Sequence, residues 1–375
     1  MSSHLKEFTI ESFRGLRDVK LEGLGRFNLI VGENNSGKTS TLEALMLFLA
    51  PGDTRNWIRL LSFRDIGLSS RSAADLVSWL FPIIDRDHPD ERHEISIQGL
   101  IGEANEMLSL SYRHEIVILP PDDQRHRRRF SEELEDEPGT NKIAYLLARH
   151  FSEITGERSG EIVFGVQSPR HRMITPATPK IESSFRRVSR RPLAVVKPHS
   201  HRIGRAAVGA VSNAVMQRMK DFFIHVLQIF DPAIVGVDVV SSEGDPLIVL
   251  EHRDLGIVPV HIFGDGLRKA VVILGQAIEA EGGILILDEV ETALHHSIQA
   301  PFFNALREIT NSLDVQIIAT THSLDAVDGI ISSMNHDLND LVAFHLPDKG
   351  SDQSIKRLSG DIMKRLRFER GLDLR

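Results

Sequence analysis

The chain has 375 residues, 41% apolar and 26% charged, with a net charge of −8, enough for one large composite domain or two ordinary ones. It contains no cysteine, which excludes disulfides and thiolate metal sites and fits a reducing cytoplasm. No run of about 18 apolar residues is present to span a membrane and the N-terminus carries no signal-peptide core. The acidic balance argues against a basic nucleic-acid coat but not against local patches.

Leu5, Phe8 and Ile10, followed by Phe13-Arg-Gly-Leu-Arg and Val19-Lys-Leu21, predict two or three short antiparallel strands. Phe27 to Val31 reads as a buried strand. It runs into Gly32-Glu-Asn34-Asn35-Ser36-Gly37-Lys38-Thr39-Ser40 and then into helix formers from Thr41 to Leu49. Strand, G-x-x-x-x-G-K-[ST] loop and helix together predict a phosphate-binding loop. Its glycines let successive backbone N–H groups turn inward, and the helix dipole adds to the attraction for an anion. In that chemistry Lys38 reaches the β- and γ-phosphates of ATP and the Thr39 hydroxyl holds Mg²⁺.

Pro51-Gly52 stops the helix. Residues 53–92 read as helical and irregular, with the best helix from Ala73 to Ile84. Strands are expected at Glu94–Leu100 and Met107–Arg113, the latter extended by Glu115–Leu119, in a small sheet with the N-terminal strands. Arg125 to Arg129 and Glu132 to Glu137 are opposite charge blocks that can neutralise one another on a solvated loop. Asn141 to Glu153 is expected as a helix, Glu161 to Val166 as a strand, and Ala207 to Phe230 as a long helix with Val215, Met219, Phe222, Val226 and Phe230 on one side. Between these, residues 169–205 hold ten basic residues against one acid, Glu182. That segment could hold the phosphates of duplex DNA, dock an acidic partner, or be a solvated loop. Its one aromatic, Phe185, does not indicate base stacking.

In the last third, Ile234–Val240, Leu247–Glu251 and Val258–Phe263 read as strands. Gly266–Ala280 is predicted as a helix, Ile284–Leu287 as a buried strand, Pro301–Leu313 as a helix and Val315–Ala319 as another buried strand. Short all-apolar strands alternating with helices predict a parallel sheet covered on both faces, shared with the strand before the phosphate loop. Asp288-Glu289 ends one of these strands, where α/β sheets place ligands. Asp288 would complete the Mg²⁺ shell and Glu289 would orient or deprotonate the attacking water. His322 ends the next strand and can contact the γ-phosphate.

Gly32 to Thr39, Phe263-Gly264-Asp265-Gly266, Leu285 to Glu289, Leu294-His-His296 and Thr320-Thr-His-Ser323 follow in the order found in ABC-type ATPase heads, and the chain resembles their RecF, SMC and OLD branch. Ile10-Glu-Ser-Phe-Arg-Gly-Leu16 is similar to that branch's opening strand. The resemblance implies Walker A, signature, Walker B, D-loop and switch histidine, in that order. It also implies an ABC-head-like P-loop α/β fold with an antiparallel β subdomain and a helical insertion, and a two-fold dimer with two ATPs sandwiched between copies.

Gly264, Asp265 and Gly266 open a helix whose free N–H groups can bind an anion, which the resemblance implies is the γ-phosphate held by the other copy; Asp265 can equally be that helix's N-cap. The usual signature serine is missing, and Gln98 is the one early candidate for a Q-loop glutamine. No long coiled coil and no TOPRIM-type carboxylate cluster are found, so the expectation is a cytoplasmic ATPase that works with a separate effector in genome maintenance or anti-phage defence. A nucleotide-gated interaction switch is the alternative. The expected division is 1–120 with Walker A, an inserted, partly helical basic region 121–230, and 231–375 with the remaining motifs. Metal binding by His199-x-His201 or His295-His296 lacks supporting carboxylates.

Overall fold

The computed structural model describes residues 4–61, 73–83, 94–118, 140–164, 179–187, 191–200, 208–209, 211–212, 214, 218–242, 245–334, 337–348 and 354–374. Both charge blocks at 125–137, Arg170, Arg172, Arg190, Arg202, Arg205, His201 and Val215 lie outside them.

In chain order the strands are β1 (Leu5–Phe13), β2 (Leu16–Glu22), β3 (Phe27–Val31), β4 (Ile95–Ile101), β5 (Ala104–Ile118), β6 (Thr140–Ser152), β7 (Gly156–Phe164), β8 (Lys180–Ile181), β9 (Leu193–Val196), β10 (Ile234–Ser242), β11 (Asp245–His252), β12 (Gly256–Pro259), β13 (Ile284–Leu287), β14 (Gln316–Thr320), β15 (Leu341–His345) and β16 (Lys356–Ser359). The helices are α1 (Lys38–Leu49), α2 (Thr54–Leu61), α3 (Ala73–Ser78), α4 (Lys220–Leu227), α5 (Asp265–Glu279), α6 (His296–Ser312), α7 (Leu324–Ser333) and α8 (Gly360–Lys364).

Two compact units divide the chain, one formed by Met1–Lys6, Leu21–Leu42 and Arg191–Arg375, the other by Glu7–Lys20 and Glu43–Arg190. Both units draw on separate stretches of sequence, with the chain passing between them after residues 6, 20, 42 and 190.

The first unit is built on a six-stranded sheet ordered β16-β15-β3-β14-β13-β9. Strands β9, β13, β14, β3 and β15 run parallel, with Leu193 opposite Ile284, Ile284 opposite Gln316, Ile317 opposite Phe27, and Leu341 opposite Phe27. Every residue of β3, β13 and β14 is buried, as a sheet covered on both faces requires. Two polar side chains inside it are satisfied. Asn28 Nδ2 donates to the carbonyls of Gly25 at 2.8 Å and Ile317 at 3.0 Å, and Gln316 Nε2 donates to those of Leu5 and Gly25, both at 2.8 Å. Since β3, β14 and β13 are neighbours running the same way, the chain leaves all three at one edge of the sheet. A separate antiparallel sheet, β10-β11-β12, belongs to the same unit.

The second unit holds a seven-stranded sheet, β2-β1-β4-β5-β6-β7-β8. The N-terminal strands and the 94–118 strands share it, as expected. Arg14, at the tip of the β1–β2 hairpin with φ of +52°, pairs its guanidinium with the fully buried carboxylate of Glu43 at 2.9 Å.

Four expectations are corrected. The helix expected at 141–153 is instead strand β6, Thr140–Ser152. Thirteen residues pair with β5, and burial alternates, with Ala144, Leu146, Ala148 and His150 inside and Leu147, Arg149 and Phe151 exposed. Ala, Leu and Arg favour a helix locally, but pairing along a long neighbour overrides that preference. The 121–230 region therefore supplies strands β6 to β9 in its described part. The long helix at 207–230 is interrupted: Arg218 takes φ of +59°, Met219 N–H closes a wide turn on the Ala214 carbonyl at 2.8 Å, and α4 begins only at Lys220. Strand β12 stops at Pro259, and Phe263 N–H instead closes a tight turn on Val260 at 3.2 Å. Helix α6 starts five residues before Pro301, because His295 caps it through Nδ1, which accepts from Ser297 N–H at 3.4 Å.

Candidate nucleotide-binding site

Between β3 and α1 the chain curls through Gly32 at φ +146°, Asn35 at +67° and Gly37 at +100°. A Cβ on Gly32 would stand 2.7 Å from the Leu346 carbonyl and 2.9 Å from Ser36 Oγ, so only glycine fits. Thr41 N–H bonds to the Gly37 carbonyl at 2.8 Å, so the first turn of α1, which carries Lys38, Thr39 and Ser40, follows directly on the loop. Asn34 and Asn35 are exposed and Ser36 is half-buried. Lys38 is buried, and its Nζ donates to the carbonyls of Gly32 at 2.7 Å and Glu33 at 2.6 Å. Burial lowers its pKa, against the pull of Asp288, Glu289 and Glu291. One cation therefore faces three carboxylates at the loop.

Those carboxylates follow β13. Asp288 is buried and accepts from Thr320 Oγ1 at 2.6 Å. The same hydroxyl accepts Glu289 N–H at 2.9 Å. Thr320 ends the adjacent β14, so one hydroxyl clips together the two acids that follow the neighbouring strand. Glu289 adopts φ of +47°, a conformation that costs a non-glycine residue free energy and persists only where neighbours enforce it. Its carboxylate accepts from Thr292 Oγ1 at 3.1 Å.

Glu291 Oε1 accepts the backbone N–H of His322 at 2.8 Å, while its Oε2 is buried without a hydrogen-bond partner. Burial lowers the His322 pKa and Lys38 lowers it further, opposed by Glu291 and Glu289. Near neutral pH the ring is uncharged and offers one donor and one acceptor.

Lys269 on α5 completes the cluster. It is 1% exposed, its Nζ donates to the Glu289 carbonyl at 2.8 Å, and burial lowers its pKa to about 8 against Glu291, Glu289 and Asp288. Neither Lys269 nor Glu291 was singled out from sequence. A lysine among the buried Leu267 and Ala270 to Ile278, and a third acid two residues after Asp288-Glu289, were the available signals.

The site thus brings together Lys38, Asp288, Glu289 and His322. Thr39 and Ser40 stand in the first turn of α1. The residue set suits Mg²⁺: the Thr39 hydroxyl and the Asp288 carboxylate are hard oxygen donors, and the buried Glu291 Oε2 beside them has no hydrogen-bond partner among the described residues. Gly264 is the N-cap of α5 and Asp265 its first residue, held by Arg268, which corrects the reading of Asp265 as the cap. A Cβ on Gly264 would meet nothing within 4 Å, whereas one on Gly266 would stand 2.7 Å from the Ala293 carbonyl. Gln98 lies exposed in β4 and donates to Glu11 at 3.2 Å. His295 and His296 have ring centroids 4.1 Å apart. No group of three or more His, Cys, Asp or Glu side chains is placed to hold one metal ion among the described residues, and no described helix is long and apolar enough to cross a membrane.

Residues 27–328 match the family model described as "AAA domain, putative AbiEii toxin, Type IV TA system". The chain is 22% identical over 337 residues to an ATP/GTP phosphatase of Helicobacter pylori, spanning 86% of each protein. It is 23% identical over 351 residues to the OLD nuclease of Thermus scotoductus, covering 85% of this chain and 59% of that one. Over 49 residues it is 53% identical to the DNA replication and repair protein RecF of Acinetobacter baumannii, 13% of either chain. The chain therefore spans less than two thirds of the last two relatives.

Proposed function

The chain belongs to the AAA-domain family matched over residues 27–328 and is an ABC-type ATPase of the RecF, SMC and OLD branch; from that premise we propose a dimer that closes around two ATPs and is reset by hydrolysis. The observation that carries the reading is the Thr320 clip, which holds Asp288 and Glu289 at the end of β13 within the electrostatic reach of Lys38.

In this reading the loop N–H groups and Lys38 bind the β- and γ-phosphates. Thr39 and Asp288 hold Mg²⁺, which when bound neutralises charge on the phosphate oxygens. Glu289 orients a water and takes its proton as the oxygen bonds to the γ-phosphorus. The bond to the bridging oxygen breaks, giving ADP and phosphate, while neutral His322 donates to the γ-phosphate. The N–H groups at Gly264, Asp265 and Gly266 would receive that phosphate from the other copy of an isologous dimer. The cycle would drive a DNA-related or anti-phage process through a separate effector, and the family description, which names a toxin of a TA system, fits a partnered protein. A cytoplasmic location is part of this reading.

The test is Glu289→Gln. It is expected to keep ATP affinity, lose turnover by on the order of 10²-fold or more, and elute as a dimer with ATP and Mg²⁺. Wild-type turnover by that variant would remove Glu289 from the base role. The same protein would be titrated with duplex DNA across a salt series. ATP-dependent binding with a steep negative slope would support phosphate contacts by residues 169–205, among which Lys180 and Arg186 are exposed. No binding at low salt would reassign the segment to a protein partner.

A second reading, a nucleotide-gated interaction switch with incidental hydrolysis and no DNA contact, is favoured by Gly264 standing where a signature serine is usual. Turnover faster than about one per second would exclude it.

A further inference from the structure

Helix α5 touches the catalytic turn at two places. At one end of the turn Lys269 Nζ donates to the main-chain carbonyl of Glu289 at 2.8 Å. At the other, Gly266 lies so close to the Ala293 carbonyl that a Cβ would meet it at 2.7 Å, and Ala293 itself sits at φ +68°. Both contacts come from the first five residues of α5, the end that opens with Gly264, Asp265 and Gly266. The turn between them carries Glu289 in a left-handed conformation, so its shape depends on outside partners. Its N–H goes to Thr320 and its carbonyl receives Lys269 and, at 3.0 Å, Thr292 N–H.

We infer that Lys269 is a positioning residue: by holding the Glu289 carbonyl it aims the Glu289 carboxylate and ties it to the start of α5. An anion arriving at the N-terminus of α5 would then be felt at the hydrolytic group of the same chain through one hydrogen bond. The placement supports this. A methionine would bury the same volume in this apolar helix without desolvating a charge, so packing alone gives no reason for an ammonium here. Asp288, Glu289 and Glu291 are the charged groups facing it, and both the protonated and the neutral amine can donate to a carbonyl.

The inference rests on the ATPase reading, and the experiment separates the two. Wild type, Lys269→Met and Lys269→Arg are compared for kcat, KM, nucleotide Kd and thermal midpoint. Lys269→Met is expected to lose kcat about 10- to 100-fold with Kd unchanged within about threefold and a midpoint at or above wild type, and Lys269→Arg to recover part of kcat. A kcat within twofold of wild type overturns the inference. So does a loss of kcat that only follows a lowered midpoint, or a loss of Kd that equals the loss of kcat. If Lys269→Met does not fold, Lys269→Gln decides: a fivefold or greater loss of kcat at unchanged Kd supports positioning, and wild-type kcat overturns it. A wild-type protein that hydrolyses no nucleotide overturns the ATPase reading and this inference with it.

Discussion

Thr320 Oγ1 donates to Asp288 Oδ1 at 2.6 Å from the neighbouring strand, and it also accepts the N–H of Glu289 at 2.9 Å. Thr320→Val keeps the shape and the β preference but removes both bonds. Removing one donor from a buried carboxylate costs up to about 1–3 kcal/mol, so denaturant unfolding should show a loss within that range. Turnover should fall about tenfold through misplacement of Glu289, with nucleotide affinity changed less. Unaltered kcat would mean that the clip is structural only.

Gly32→Ala tests the other side of the site. Its φ of +146° lies where an L side chain is strained, and the added methyl would stand 2.7 Å from the Leu346 backbone. Strain of this kind costs about 1–3 kcal/mol and is relieved only by opening the phosphate loop. ATP affinity, read by titration, should fall at least tenfold, along with the thermal midpoint.

The elements around the site were readable because their signals are local. Gly32 to Thr39 demands a strand before it and a helix after it, and the apolar run Ile284–Leu287 ending in two acids has little other use in a buried sheet. What was missed depends on distant partners. Ala144, Leu146 and Leu147 look helical until β5 is beside them. Arg218 gives no warning that it will turn left-handed. Lys269 reads as an ordinary helix residue, since its neighbours in sequence do not reveal that Glu289, twenty positions later, supplies its acceptor. Helix α6 begins five residues before the expected Pro301, because His295, a residue with no strong capping preference in sequence, is its cap.

Gln98→Ala provides a contrast. Its side chain is exposed and bonded to Glu11 at 3.2 Å, so the substitution should change stability by no more than about 0.5 kcal/mol and leave ATP turnover within twofold. A large loss of turnover would restore Gln98 as a nucleotide-sensing glutamine.

Lys269 makes a prediction about pH that does not depend on catalysis. Its pKa is about 8 in the folded chain against 10.5 for the free side chain. Between these values the unfolded chain carries a proton that the folded chain lacks, so stability rises with pH across that window. Below it, the folded protein bears the full cost of burying an ammonium, on the order of 3 kcal/mol. Lys269→Met removes the group and with it the slope, while the other lysines and tyrosines titrate alike in both proteins and cancel. Urea midpoints compared at about pH 7.5 and about pH 10 should show the variant more stable at the lower pH, with the gap closing at the higher. A gap that stays constant would mean that Lys269 is solvated in the folded protein, and that its bond to Glu289 is not buried.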